Sequence, residues 1–200
     1  QTHLVGKTHW HTDPTFRGGF EGWDKWERLH REQVARMGRD TNLTGLGRNE
    51  LNPSMSYFPP ELYSTDWAID RGIEAIYDRD KTAPLFLWIS LVDPHPPLMI
   101  HEPYYSMYDN EPIPEPNIPQ WARGRAPYAM EVHRRGNHAI PMKPGEMRKA
   151  RGVYYGMITN IDHQLGRLFG ALMKAGMWQD TAVIYTSDHG ELLGDFGDFC

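Results

Sequence analysis

Asp188 and His189 stand side by side in Thr186-Ser187-Asp188-His189-Gly190-Glu191. An anionic oxygen beside an imidazole nitrogen can hold a divalent cation, and Gly190 lets the backbone turn so that both side chains face one point. The same residues also fit a helix start, with Ser187 or Asp188 as N-cap and Glu191 in the first turn. Two distant stretches add chemistry: Lys7 and His9 in Gly6-Lys7-Thr8-His9, and His95 in Asp93-Pro94-His95-Pro96-Pro97. A lysine offers a compact charge to a sulfuryl or phosphoryl oxygen, a histidine can donate a hydrogen bond or protonate a leaving group, and a metal ion lowers the pKa of a bound nucleophile. Taken singly, Lys7 reads as a solvated lysine and His9 or His95 as a structural histidine. Taken with Asp188 and His189, they suit a tetrahedral oxyanion.

These residues need elements to position them. His3-Leu4-Val5 is a short strand, and the Gly- and aromatic-rich stretch from Trp10 to Trp26 reads as an ordered loop. Pro60-Glu61 opens a helix whose apolar residues, Leu62, Ala68, Ile69, Ile73, Ile76 and Tyr77, recur at threes and fours. Pro84 to Val92 is apolar at nearly every position, which predicts a central strand covered on both faces. Eleven prolines punctuate residues 93–145, an irregular, lid-like excursion. Periodicity returns from Met147 to Ala175, with Gly176 as the stop, and Ala182-Val183-Ile184-Tyr185 predicts a buried strand running into Asp188. The order strand, helix, strand, excursion, helix, strand predicts an α/β domain with a largely parallel sheet flanked by helices. Ligands of such sheets sit beyond the carboxyl ends of the strands, where Lys7, His9, His95, Asp188 and His189 all fall.

Composition narrows the classes. Two hundred residues at 40% apolar content suffice for one globular domain with a core. No apolar run is long enough to span a membrane, and a mild net charge of −5 without a basic stripe argues against nucleic acid. Arg123, Arg125, Arg134, Arg135, Lys143, Arg148, Lys149 and Arg151 gather mid-chain, either as a solvated basic face or as an attraction for an anionic substrate. A single cysteine, Cys200, excludes an internal disulfide framework. Gln1 is not a natural start and both ends fall within patterned sequence, so the chain is expected to be a fragment, and nothing about its compartment or oligomeric state follows.

Gly6-Lys7-Thr8-His9, Tyr63-Ser64-Thr65-Asp66-Trp67, Phe86-Leu87-Trp88-Ile89-Ser90 into Asp93-Pro94-His95-Pro96-Pro97, Tyr154-Tyr155-Gly156-Met157-Ile158 with Ile161-Asp162, and Thr186 to Asp195 occur in the order of the type I sulfatases. The chain resembles that family of the alkaline phosphatase superfamily over nearly its whole length. The resemblance implies an alkaline phosphatase-like fold, incomplete in a fragment, with residues 1–200 forming part of one sulfatase catalytic domain. It implies Asp188 and His189 as metal ligands and Lys7, His9 and His95 as side chains around the sulfate. It further implies one divalent metal, calcium in the family, and a formylglycine nucleophile whose hydrate attacks sulfur. His189 stands where many sulfatases carry Asn, and an imidazole makes manganese or zinc more suitable than it would otherwise be. The resemblance also implies a small-molecule or saccharide sulfate ester as substrate.

The family's Cys-x-Pro-x-Arg or Ser-x-Pro-x-Arg motif and its first acidic pair precede Gly-Lys-x-His and are not in this sequence. The fragment alone is therefore expected to be inactive. Phosphonate monoester hydrolases and phosphodiesterases of the superfamily also use an Asp-His pair, which keeps phosphoryl chemistry as the nearer alternative, and a degenerate binding protein is the non-enzymatic one. His9-Trp10-His11-Thr12-Asp13 mimics the metallo-β-lactamase metal motif, but Pro14 replaces its next histidine.

Overall fold

The structure is a computed structural model that describes residues 1–6, 32, 35–36, 51–56, 58–124 and 143–199. Lys7, His9 and the loop from Trp10 to Trp26 lie outside the described residues. The elements are β1 (Thr2–Gly6), β2 (Ser54–Met55), α1 (Ser64–Asp78), β3 (Phe86–Ser90), β4 (Met99–Ile100), α2 (Gln120–Gly124) and α3 (Pro144–Lys174). Strands paired in parallel and helices place the chain in the α/β class. The chain divides into two compact units, one of Gln1–Thr44, Tyr57–Asp93 and Asn160–Ala182, the other of Gly45–Ser56, Pro94–Thr159 and Val183–Cys200.

In the first unit β1 and β3 pair in parallel, from Thr2 opposite Phe86 to Gly6 opposite Ser90. Parallel neighbours need a crossover, and α1 lies within it. The apolar spacing of α1 puts Ile69 and Ile76 against Leu168, Ala171 and Leu172 of α3, over Leu87 and Ile89 of the sheet. Trp67 and Ala68 join Val5 in a second cluster on the same strands. Gly6 has φ 101°, and a Cβ built there would collide with the Ser90 carbonyl oxygen, so only glycine fits. The helix expected from Pro60 is preceded by a 3-10 turn, Pro60–Leu62, before α1 proper.

A buried carboxylate ties α1 to α3. Asp66 accepts Asn160 Nδ2–H at 2.9 Å on one oxygen and Gln164 Nε2–H at 2.7 Å on the other. All three residues are buried. At the surface Arg167 extends the link by donating to Asp70 at 2.6 Å.

Two strand expectations need correction. β3 is covered on one face only among the described residues: Leu87 and Ile89 pack inward, while Phe86 is 52% and Trp88 41% exposed. A second covering layer is what an uninterrupted apolar run predicts, and the described residues do not supply one. Ala182 to Tyr185 forms no strand, and Ile184 is 88% exposed. A strand needs a neighbour for its N–H and C=O groups, and none of the described strands pairs with this segment.

α3 starts earlier than Met147, at Pro144, where the Lys143 N–H donates to Glu146 Oε2 at 2.9 Å as one half of a capping box. It stops as expected at Gly176, which has φ 71°. There the Gly176 N–H donates to Met173 O at 3.0 Å and the Met177 N–H to Leu172 O at 2.9 Å, the two-bond left-handed cap.

In the second unit β2 and β4 form a short parallel ladder, Ser54 opposite Met99 and Met55 opposite Ile100. Leu51, Leu98, Ile100, Val153 and Met157 are large apolar side chains buried almost completely in it. The mid-chain basic residues are partly structural. Arg148 donates to the carbonyls of Asp109 and Glu111, and Lys149 to Tyr105 O and Asp109 Oδ1, with its ammonium over the Tyr105 ring. Among the described residues no helix is long and apolar enough to cross a membrane.

Candidate active site

β3 ends at Ser90, and Asp93 opens the turn that carries His95. Asp93 is held at the amino end of α1: Thr65 Oγ1 donates to Asp93 Oδ2 at 2.5 Å, and the Tyr63 hydroxyl is its second donor. Burial, and then the Asp93 charge and hydrogen bond, push the Tyr63 hydroxyl well above its ordinary value. Tyr63 therefore stays a donor, and the end of the strand is fixed before the chain reaches His95.

His95 and His189 meet edge-on, with ring centroids 6.2 Å apart, although they come from distant stretches of sequence. Each ring is tied to its own backbone through one nitrogen. His95 Nδ1 lies 2.6 Å from Pro96 O, and His189 Nδ1 lies 2.9 Å from Gly190 O. A carbonyl can only accept, so Nδ1 carries the proton in each ring and Nε2 is left for other work.

At His189, Nε2 lies 3.9 Å from Asp188 Oδ2, a separation that one cation bound between the two atoms can span. A ring that gives its other N–H to a backbone carbonyl is the usual arrangement of a metal-ligating histidine. The residues therefore fit half of a divalent metal site. Among the described residues no group of three or more His, Cys, Asp or Glu converges. The Asp188 side chain is 81% exposed and accepts the His189 N–H at 3.0 Å. The hydrogen bond to Gly190 O raises the His189 pKa, desolvation opposes it, and the Asp188 and Glu191 charges add to the rise. The helix-start alternative is excluded, because no helix follows Asp188; the next helical turn is a 3-10 turn at Asp195–Gly197.

A compact loop follows. The Leu193 N–H donates to Phe199 O and the Gly194 N–H to Asp198 O, each at 2.8 Å. Four residues in it lie in the left-handed region: Leu193, Gly194, Phe196 and Gly197.

A family model described as Sulfatase matches residues 1–198. The chain belongs to the sulfatase family. This sulfatase-family chain is 34% identical over 146 residues to an arylsulfatase of Clostridium perfringens, covering 71% of this chain and 29% of that protein. It is 35% identical over 153 residues to the multifunctional alkaline phosphatase superfamily protein PehA of Trinickia caryophylli, covering 70% and 30%. It is also 30% identical over 157 residues to human iduronate 2-sulfatase, covering 70% and 27%. The chain thus spans less than a third of the length of these relatives. Its fold is shared with the phosphonate monoester hydrolase of Agrobacterium radiobacter, with a TM-score of 0.76 at 22% identity, over 100% of this chain and 46% of that one.

Of the residues singled out from the sequence, the structure brings His95 and the Asp188-His189 pair together, while Lys7 and His9 lie outside the described residues. Sequence reasoning gave no role to Tyr63, Thr65 or Asp93, which hold the end of β3. The signal was present in Tyr63-Ser64-Thr65-Asp66-Trp67, quoted above only as a block of resemblance.

Proposed function

We propose that the full-length protein is a hydrolase that cleaves a sulfate monoester of a small molecule or saccharide. The observation that carries this reading is the meeting of His95 with His189, each presenting Nε2, in a chain of the sulfatase family. Asp188 and His189 hold one side of a divalent cation. When bound, that ion stabilises negative charge and lowers the pKa of a nucleophile. The resemblance favours calcium, and the His189 nitrogen makes manganese or zinc suitable. The nucleophile is a formylglycine, which the resemblance places ahead of Gly6-Lys7 and outside this sequence. Lys7 supplies positive charge to the sulfate oxygens, and His9 donates to them. His95, with Nδ1–H anchored on Pro96 O, accepts a proton at Nε2, and in that protonated form it can donate from Nε2 to the ester oxygen and pass the proton to the departing alkoxide.

A second reading, phosphonate monoester or phosphodiester hydrolysis, is favoured by the likeness to PehA and to a phosphonate monoester hydrolase fold. A binding protein that has lost the nucleophile is the third.

Turnover of the full-length protein with an aryl sulfate, a phosphate diester and a phosphonate ester separates these. The aryl sulfate is expected to react fastest; a large preference for the diester would give the role to phosphoryl transfer, and no turnover of any would favour binding. Asp188→Ala is expected to lose both bound metal and activity, measured by metal analysis and initial rates. Retention of the metal would sink the ligand assignment.

A further inference from the structure

The hydrogen bonds described at His189 run to its own neighbours. Ser187 Oγ–H donates to His189 O at 2.6 Å, and its N–H and Nδ1–H go to Asp188 and Gly190. Such local bonds shape the turn without fixing where it points. A firm anchor stands a short way downstream, where Arg151 of α3 reaches the loop: Nη1 donates to Leu193 O at 2.7 Å and approaches Asp195 Oδ1 at 3.4 Å. That same carboxylate oxygen accepts the Asn117 N–H at 2.9 Å, and the Phe196 N–H returns to Asn117 O at 2.9 Å. The Phe196 ring lies against Trp121, with centroids 5.6 Å apart. One guanidinium thus ties the stretch after His189 to the long helix and, through Asp195, to the proline-rich excursion.

Two observations show that Arg151 is poorly suited to stability alone. It is only 7% exposed, and its Nε is buried with no hydrogen-bond partner among the described residues. A buried donor left unmade destabilises, and an apolar side chain of similar volume avoids that penalty. The peptide it grips is also strained. Leu193 has φ 53° and Phe196 φ 58°, conformations that side chains bearing a Cβ hold only when their surroundings over-determine them. Structural cost concentrated beside a ligand pair is the pattern of a supporting shell that orients first ligands.

We propose that Arg151 is a positioning residue for the Asp188–His189 metal pair, clamping Leu193 and Asp195 so that the turn before them presents both ligand atoms to one ion. The proposal rests on the metal reading above. It also predicts that the clamp acts on metal affinity and not only on folding.

The test uses the full-length protein with Arg151→Met, which fills the space without donors, and Arg151→Lys, which keeps a cationic donor on a flexible stem. Dissociation constants for Mn2+ and Ca2+ are measured by competition with a fluorescent chelator, alongside the melting temperature of the metal-free protein. Arg151→Met is expected to weaken metal binding by about 10- to 100-fold. The metal-free melting temperature should stay near that of the wild type, Arg151→Lys should lie between, and excess metal should restore turnover. Wild-type affinity in both variants would overturn the proposal, whatever their melting temperatures. If Arg151→Met does not fold, the affinity of Arg151→Lys decides alone. Asp188→Ala in the same assay separates the two levels: unchanged affinity there removes the metal reading and the clamp with it, whereas lost affinity there with unaffected Arg151 variants removes the clamp only.

Discussion

Asp93 shows how a partly buried hydrogen-bonding pair can hold the end of a strand. Its carboxylate draws on Thr65 and Tyr63, so the chain leaving β3 is held two residues before His95. Thr65 is buried, and Thr65→Val keeps its shape while removing the donor. The expected loss is about 1–3 kcal/mol in denaturant unfolding, with Thr65→Ser largely restoring it. Tyr63 gives a prediction in pH. Its folded pKa lies above the reference value of 10.0, so its contribution is fully present below that value and is lost as pH rises through the folded pKa. Burial also raises the Tyr154 hydroxyl, so alkaline titration of tyrosinate absorbance should show more than one delayed phenol, and Tyr63→Phe should remove the latest step. Asp188, His189 and His95 are candidates from the sequence because their types suit ion binding and proton transfer, and the structure brings the three together. Tyr63, Thr65 and Arg151 act through what they touch, and touching is settled only by the fold.

Periodicity found the elements more reliably than it found their surroundings. The apolar spacing of α1 and α3 reports a face each helix must bury, and both helices are present with most of that face inward, although Tyr77 of α1 is exposed. The segments 86–90 and 182–185 look equally apolar, yet the first pairs and is half covered while the second is unpaired. Hydrophobicity states a demand for cover; it does not say what supplies it. What periodicity misses altogether is the polar bond between α1 and α3. Asp66 is a carboxylate inside a helix–helix contact, where it accepts from Asn160 and Gln164. Asn160→Leu should cost roughly 1.5–3 kcal/mol because a charged acceptor loses a donor, measurable by chemical denaturation. A double change that also replaces Asp66 by Leu should recover part of that loss, since removing both partners can be nearly neutral.

At the scale of the molecule, two stretches of β-branched and aromatic sequence among the described residues leave large apolar side chains exposed. Phe86, Trp88, Val183, Ile184 and Tyr185 all face solvent in a chain that spans less than a third of its relatives. Apolar exposure of this kind promotes association. The polypeptide Gln1–Cys200 should bind a hydrophobic dye and self-associate, and Ile184→Lys should reduce both, as read by fluorescence and light scattering. A monomeric, dye-silent polypeptide would show that these side chains find cover. Gly6 finally acts as a key between two strands. Only a residue without Cβ can stand against the Ser90 carbonyl, so sliding β1 by one position would drive Val5 or Lys7 into it. The sheet therefore proofreads its own alignment, and a single-residue deletion on either side of that contact should be tolerated far less well than one in the loops beyond.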